Sequence, residues 1–248
     1  MVVEDDPDRK ILAFLSGKYD DEALVKMAQA VAKPGTKDDI ATKVLLTSRN
    51  NLGKSTDELF TALKVGGSAD DLIKLGKTGD NLFESPAFNV WAGYVGTVKR
   101  EDPDRAILTV LSGQYGEASV MRMAEVASKA GNNKDLATKL QNMQLDDWKR
   151  ERKSIGSVFE ALILHKNVDD LLTNPNLNAW SKYVELTKAN TEAKTPLITT
   201  IRTFYKNDAE LLRAFKAAQE NPESKRLGKL LEESLVNILR LQRMRNGN

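Results

Sequence analysis

The sequence predicts an all-α protein, an elongated tandem array of small helical bundles. Three observations support this fold class. A segment at residues 85–95 that carries a Trp and a Tyr three positions apart returns at residues 174–184. A second segment, at residues 6–19, returns at residues 102–115. Elsewhere apolar residues recur at steps of three and four, the spacing of one helical face, with almost no alternating strand pattern.

The first element is a short helix followed by a Tyr. Residues 6–19 and 102–115 both begin Asp-Pro-Asp-Arg and reach a Ser-Gly pair shortly before Tyr19 or Tyr115. Pro is favoured in the first helical turn and Gly at a helix end, so each copy predicts one helix and a turn. We therefore assign residues 1–54 to a Tyr-type helical block, a partial or divergent first unit.

Two fuller units follow, at residues 55–153 and at residues 154–248. Each contains a Leu-rich helix, a helix with Trp-x-x-Tyr and a Tyr segment, and the second closes on a long C-terminal helix. Ser85-Pro86 and Asn174-Pro175 precede the Trp-bearing helices. A Ser or Asn side chain that accepts from free backbone N–H groups, followed by Pro, is typical of a helix start.

The repeated aromatic and leucine positions are predicted to form the structural core. Steps of three place the rings on one helical face, and a buried Trp or Tyr removes about 150–250 Å² from water. The predicted core residues are Tyr19, Phe60, Leu63, Trp91, Tyr94, Tyr115, Trp148, Phe159, Leu162, Trp180, Tyr183 and Tyr205.

The composition argues against an enzyme. There is no Cys and the only His is His165, at the end of an apolar helical run, so zinc sites of Cys and His and a Cys/His nucleophilic pair are excluded. Two Gly-Lys-Ser/Thr fragments, at residues 53–55 and 76–79, lack the spacing of a phosphate-binding loop. We expect no catalytic residue, no cofactor and no metal.

The charge balance gives little support to nucleic acid or membrane partners. The formal net charge is only +2, and no apolar run reaches the roughly 18 residues that a membrane-spanning helix needs. One basic cluster, Lys149, Arg150, Arg152 and Lys153, joins the two fuller units. It is interpreted as a solvated connector, with a partner-docking patch as the alternative. The chain is expected to be a monomer.

The ordered set of Leu-rich, Trp-x-x-Tyr and Tyr segments, together with Gln-Leu-x-x-Trp at residues 144–148, resembles the tandem WY/LWY-repeat effectors of oomycete plant pathogens, the RXLR class. The resemblance covers residues 6 to 240. No signal peptide or RXLR segment is visible, so the chain is expected to be a processed or truncated effector domain.

The resemblance implies a non-enzymatic virulence effector, secreted by the pathogen and acting in the host cytoplasm or nucleus. Such proteins bind host proteins and suppress immunity. The specific implication is an adaptor that recruits the scaffold subunit of host protein phosphatase 2A in place of a regulatory subunit. The alternative is a general helical-repeat scaffold with another host target, an autophagy or RNA-silencing component.

Overall fold

The structure is a computed structural model in which every described residue lies in a helix, a turn or a connection between them. No strand occurs among these residues. The described residues are 7–31, 44, 55–63, 65, 82–129, 133–187, 195–220 and 224–246. The fold class predicted from the sequence, all-α with repeated helical bundles, is confirmed. The Gly-Lys fragments lie outside the described residues, apart from Ser55.

The chain divides into two compact units, residues 1–140 and 141–248. Unit 1 contains α1 (Pro7–Lys18), α2 (Asp21–Val31), α3 (Thr56–Ala62), α4 (Pro86–Val98), α5 (Pro103–Tyr115), α6 (Glu117–Lys129) and the first part of α7 (Lys134–Arg150). Unit 2 contains the rest of α7, then α8 (Ile155–Ala161), α9 (Asn176–Thr187), α10 (Thr195–Phe204), α11 (Asp208–Ala217) and α12 (Lys225–Asn246). Single 3-10 turns precede α4 and follow α11. The predicted three-part division at residues 54 and 153 stays a prediction.

The helix starts follow the capping chemistry of the sequence. The Ser85 hydroxyl accepts from the Phe88 amide at 3.0 Å, and Pro86 is the first residue of α4. In the second copy Asn174 accepts from the Asn176 amide at 3.0 Å. Helix α9 begins at Asn176, one residue after Pro175, because Pro175 is part of the turn that Asn174 closes.

The two short helices α3 and α8 are built alike. Ser55 caps α3 by accepting from the Glu58 amide, and Ser154 caps α8 by accepting from the Ser157 amide. Each helix then presents a buried Phe, Phe60 or Phe159, to the Trp-bearing helix of its unit. Since the same cap and the same ring recur, the duplication in sequence is a duplication in structure.

The later helices also repeat. Helix α6 begins at Glu117 and α7 at Lys134, and the same spacing separates Asp208 of α11 from Lys225 of α12. In unit 1, α5 packs against α4 and α6, and in unit 2, α12 packs against α10 and α11. Each unit thus surrounds its aromatic residues with several helices.

Candidate protein-interaction site

The predicted aromatic core of unit 1 lies around Phe60. Its ring meets the indole of Trp91 edge to face, with centroids 4.8 Å apart, and lies 6.0 Å from the ring of Tyr115. Leu63, Trp91 and Tyr94 are buried, and Tyr115 is half-buried. Edge-to-face pairs at these distances are favourable beyond the area they bury. Burial raises the pKa of Tyr115 to about 12.

Unit 2 repeats this arrangement around Phe159. The ring centroid of Phe159 lies 4.9 Å from that of Trp180 and 6.4 Å from that of Tyr205. Leu162 and Trp180 are buried, whereas Tyr205 is half-buried and donates to the Leu164 carbonyl at 2.5 Å. Both units therefore place a Phe, a Trp and a Tyr from three different helical segments in contact.

A second aromatic pair in unit 2 joins α7 to α9. The rings of Trp148 and Tyr183 meet edge to face at 6.2 Å, and both residues are buried. The Tyr183 hydroxyl donates to the Lys153 carbonyl at 2.6 Å. Beside it, Lys182 Nζ donates to Gln141 Oε1 at 2.6 Å. Burial, with the nearby carboxylate of Glu151, raises the pKa of Tyr183.

Tyr19 differs from its predicted core position, because 39% of its surface is exposed. Tyr115 rests on Phe60 and Tyr205 on Phe159, but no aromatic ring lies against Tyr19 among the described residues. The helix directly before Tyr19 also has exposed apolar side chains, Ile11 and Phe14 of α1. The segment is repeated in sequence, but its Tyr is half-buried only where the Phe of a neighbouring helix packs against the ring.

The predicted basic cluster lies at the C-terminal end of α7 and just after it. Arg150 pairs with Asp147, and Lys153 Nζ lies 3.3 Å from Glu151 Oε2. Lys149 and Arg152 are exposed, and neither has a carboxylate within ion-pair distance among the described residues. Cations are favoured at a helix C-terminus, where the backbone carbonyls point outward. The arrangement therefore stabilises the end of α7 and leaves two cations available to a partner.

Lys153 contributes to the fold as well as to the charge. Its Nζ lies 5.8 Å from the centroid of the Trp148 ring, and its backbone N–H donates to the Trp148 carbonyl at 3.0 Å. Arg152, directly before it, has φ 55 and donates its N–H to the Lys149 carbonyl at 3.0 Å. Together these contacts close the helix with a left-handed residue after the last turn.

The described residues contain no group of three or more acidic or His side chains able to hold a metal ion. Among the same residues, no helix is both long and apolar enough to cross a bilayer. His165 is half-buried, and its ring lies 6.1 Å from that of Phe204.

Comparisons with known proteins agree with this architecture. The chain is 29% identical over 233 residues to the RxLR effector protein PSR2 of Phytophthora sojae, a match that covers 91% of this chain and 33% of that protein. It is 27% identical over 243 residues to an RxLR effector protein of Phytophthora infestans, covering 95% of this chain and 62% of that one. No family model matches the chain.

A solved structure gives the deciding comparison. The crystal structure of PcRxLR12 superposes with a TM-score of 0.66 and 26% sequence identity, covering 98% of this chain and 57% of that chain. The chain is similar in sequence and in fold to the oomycete RxLR effectors. Its helices have the WY-type fold of that class, as the sequence predicted.

The chain spans about a third of the length of the PSR2 proteins that it matches. Two surface features of it were missed by the sequence reasoning. Ile163 is 51% exposed with φ 57, and the C-terminal half of α12 carries the exposed side chains of Val236, Leu241 and Met244. The helical spacing of the α12 residues was visible in the sequence, but the exposure of their side chains was not.

Proposed function

We propose that this chain is the interaction module of a secreted virulence effector, which enters host plant cells and binds host proteins to suppress immunity. The observation that carries this proposal is the similarity to named RxLR effectors along 91% of the chain. The module acts as a monomeric, non-enzymatic adaptor. Its place of action is the host cytoplasm or nucleus.

The specific proposal is recruitment of the scaffold subunit of protein phosphatase 2A in place of a regulatory subunit. The aromatic interiors of the units support an adaptor role, because a side chain that is already held in place loses little conformational entropy on binding. Trp91 and Trp180, for example, are at most 1% exposed. The outer side chains are therefore presented on a preformed surface.

We assign the basic cluster at the end of α7 to partner contact. Lys149 and Arg152 extend from the end of a 17-residue helix. Long basic side chains at the rim of an interface accelerate association with an acidic surface and contribute less to the dissociation rate. An acidic patch on the phosphatase scaffold subunit is the expected counterpart.

The test is direct binding of the full chain to purified plant phosphatase scaffold subunit, measured by biolayer interferometry at two salt concentrations. Wild type should bind in the micromolar range or tighter. The double variant Lys149→Glu/Arg152→Glu should associate more slowly, by roughly tenfold. The matched control is Lys225→Glu/Arg226→Glu, which reverses two exposed cations at the start of α12 and should leave the rate unchanged.

The outcomes separate the two parts of the proposal. No binding of the scaffold subunit by a folded wild-type chain would remove the phosphatase assignment. Equal association rates for wild type and the Lys149→Glu/Arg152→Glu variant would remove the role of the cluster alone. Capture of an autophagy or RNA-silencing component instead would favour an adaptor with a different host target.

A further inference from the structure

The four cations of the basic cluster lie on a short segment whose two ends meet one side chain of α9. The Tyr183 hydroxyl donates to the Lys153 carbonyl at 2.6 Å, and the Trp148 carbonyl is a second acceptor at 3.3 Å. We call residues 148–153 the basic loop. It carries Lys149, Arg150, Arg152 and Lys153. One phenol thus contacts both the first and the last residue of the loop.

The bonds within the basic loop are local. The Lys153 amide donates to the Trp148 carbonyl at 3.0 Å, and the Arg152 amide donates to the Lys149 carbonyl at 3.0 Å. Arg152 itself has φ 55, a left-handed conformation that is unfavourable for a residue with a side chain. The closed loop therefore holds one residue in a costly conformation. The Tyr183 hydroxyl offsets that cost with a bond from 30 residues further along the chain.

The position of this hydroxyl is set by the packing of its ring. Tyr183 is fully buried, and its ring meets that of Trp148 edge to face with the centroids 6.2 Å apart. The side chains of Lys149 and Arg152 are, by contrast, exposed. A fixed interior group thus holds the backbone that carries two exposed cations.

We propose that Tyr183 is a positioning residue for the basic loop: its hydroxyl keeps the loop closed and presents Lys149 and Arg152 to an acidic partner in one arrangement. This inference rests on the proposed function, because the basic cluster is the surface assigned there to partner contact. A loop that is ordered before binding avoids the entropy cost of ordering it at the interface. Tyr183 therefore adds to affinity without touching the partner.

The first test measures how often the basic loop opens in the full chain. Tyr183→Phe keeps the ring and removes only the hydrogen-bond donor. Trypsin cleaves after Lys and Arg, so cleavage of the Arg152–Lys153 bond, followed by mass spectrometry, reports opening of the loop itself. The rate should rise roughly fivefold in Tyr183→Phe, because cleavage of a transiently open segment follows its population and one hydrogen bond changes that population by about this factor.

Tyr205→Phe is the matched control. It removes a hydroxyl of the same kind from the same unit, one that donates to the Leu164 carbonyl at 2.5 Å. Because this bond does not involve the basic loop, cleavage after Arg152 should stay at the wild-type rate. Circular dichroism confirms that both variants keep their helices. Equal acceleration in the two variants would show that cleavage follows unfolding of the whole unit, and it would overturn the proposal.

The second test is binding to the purified phosphatase scaffold subunit. Tyr183→Phe should weaken the affinity by about threefold, since apparent affinity falls with the fraction of molecules in the binding-competent conformation. The dependence of Kd on salt should keep its wild-type slope, because no charge changes. Lys149→Glu/Arg152→Glu should flatten that slope, since exposed charges are screened by salt. Tyr205→Phe should bind like wild type, which a general loss of stability would not allow.

Hydrogen exchange of the wild-type chain tests the loop without any variant. The Lys153 amide should be protected, because it donates within the closed loop. Rapid exchange of this amide would overturn the proposal, and so would wild-type cleavage after Arg152 in a folded Tyr183→Phe chain. Wild-type affinity in a Tyr183→Phe chain that is cleaved faster would overturn the role in binding.

Failure of the proposed function gives a different result from failure of this inference. A wild-type chain that does not bind the scaffold subunit removes the phosphatase assignment, and with it the binding role of Tyr183 toward that partner. Cleavage after Arg152 and exchange of the Lys153 amide do not depend on any partner. They decide in either case whether the Tyr183 hydroxyl holds the basic loop closed.

Discussion

The indole Nε1 of Trp180 donates to the backbone carbonyl of Ile155 at 3.0 Å. Ile155 is the first residue of α8, so the Trp-bearing helix is tied to the start of the Phe-bearing helix. The same bond occurs in unit 1, where Trp91 Nε1 donates to the Thr56 carbonyl at 2.9 Å and Thr56 is the first residue of α3. A Trp at this position thus contributes both a buried ring and a hydrogen bond that fixes a helix start.

Trp180→Phe should therefore destabilise unit 2 more than the lost ring area suggests. We expect the free energy of unfolding to fall by about 1–3 kcal/mol, because a hydrogen bond is lost and a cavity forms. Trp180→Ala should cost about 3–5 kcal/mol. Urea unfolding followed by circular dichroism measures both. Trp91→Phe should lower the free energy of unfolding of unit 1 by a similar amount. Wild-type stability in either Phe variant would contradict the role of the indole hydrogen bond.

The turn after α8 stores backbone strain at Ile163. The residue has φ 57, a conformation that suits Gly or Asn and is unfavourable for a β-branched side chain. The Ile163 amide donates to the Glu160 carbonyl at 2.9 Å and the Leu164 amide to the Phe159 carbonyl at 3.1 Å, so the turn is a regular helix end. Its geometry is required by the hydrogen bonds and not by the Ile side chain, which is 51% exposed.

Ile163→Gly should accordingly stabilise the chain by about 0.5–1 kcal/mol, the strain relieved less the entropy cost of Gly. Thermal unfolding by calorimetry would show a higher midpoint. The control is Glu160→Gly, an exposed position inside α8, which should lose about 1 kcal/mol. A lower midpoint for Ile163→Gly would show that the exposed Ile contributes packing that outweighs its strain.

Burial of tyrosine hydroxyls predicts a loss of stability at alkaline pH. Desolvation raises the pKa of the Tyr205 hydroxyl from its ordinary value of 10.0 to about 12. Above about pH 10 the unfolded chain releases the phenolic proton that the folded chain retains, so the free energy of unfolding falls as pH rises from about 10 to about 12. Below that window the contribution of Tyr205 is fully present.

Urea midpoints measured across this pH window should therefore fall less steeply for Tyr205→Phe than for wild type. The double variant Tyr115→Phe/Tyr205→Phe should have a still shallower slope, since burial also raises the pKa of Tyr115 to about 12. The three proteins share all other titratable groups, so their difference in slope reports the substituted tyrosines. An unchanged slope in the double variant would contradict the assignment.

The elements that the sequence predicted best are those in which local chemistry and long-range packing agree. Pro86 and Pro103 marked helix starts, and both are first helical residues, because Ser85 and Asp102 supply the capping oxygens nearby in the chain. The fold class followed from the same local signals, repeated. Two residues of the aromatic repeats, Trp91 and Tyr115, have their ring centroids within 6.0 Å of that of Phe60 in the structure.

What the sequence could not supply depends on residues far away in the chain. Tyr19 has a local sequence similar to that of Tyr115, but no Phe ring lies against it among the described residues, so its exposure could not be read from the repeat. Val236 keeps the helical spacing of a covered residue, and only the structure shows that its side chain is 39% exposed. The positive φ of Ile163 was equally hidden, since the usual signal for that conformation is a Gly.

Two helical glycines of this chain differ in how much space surrounds them. In α12, a Cβ added at Gly228 would lie 2.8 Å from the carbonyl oxygen of Phe215, so a side chain here pushes α12 away from α11. In α5, an added Cβ at Gly113 would meet nothing within 4 Å.

Gly228→Ala should therefore destabilise the chain by about 1–3 kcal/mol through overpacking. Gly113→Ala should instead stabilise it by about 0.5–1 kcal/mol, because Ala loses less backbone entropy in a helix. Urea unfolding of the two variants beside wild type should give shifts of opposite sign, and a Gly228→Ala chain as stable as wild type would show that α11 and α12 can separate without cost.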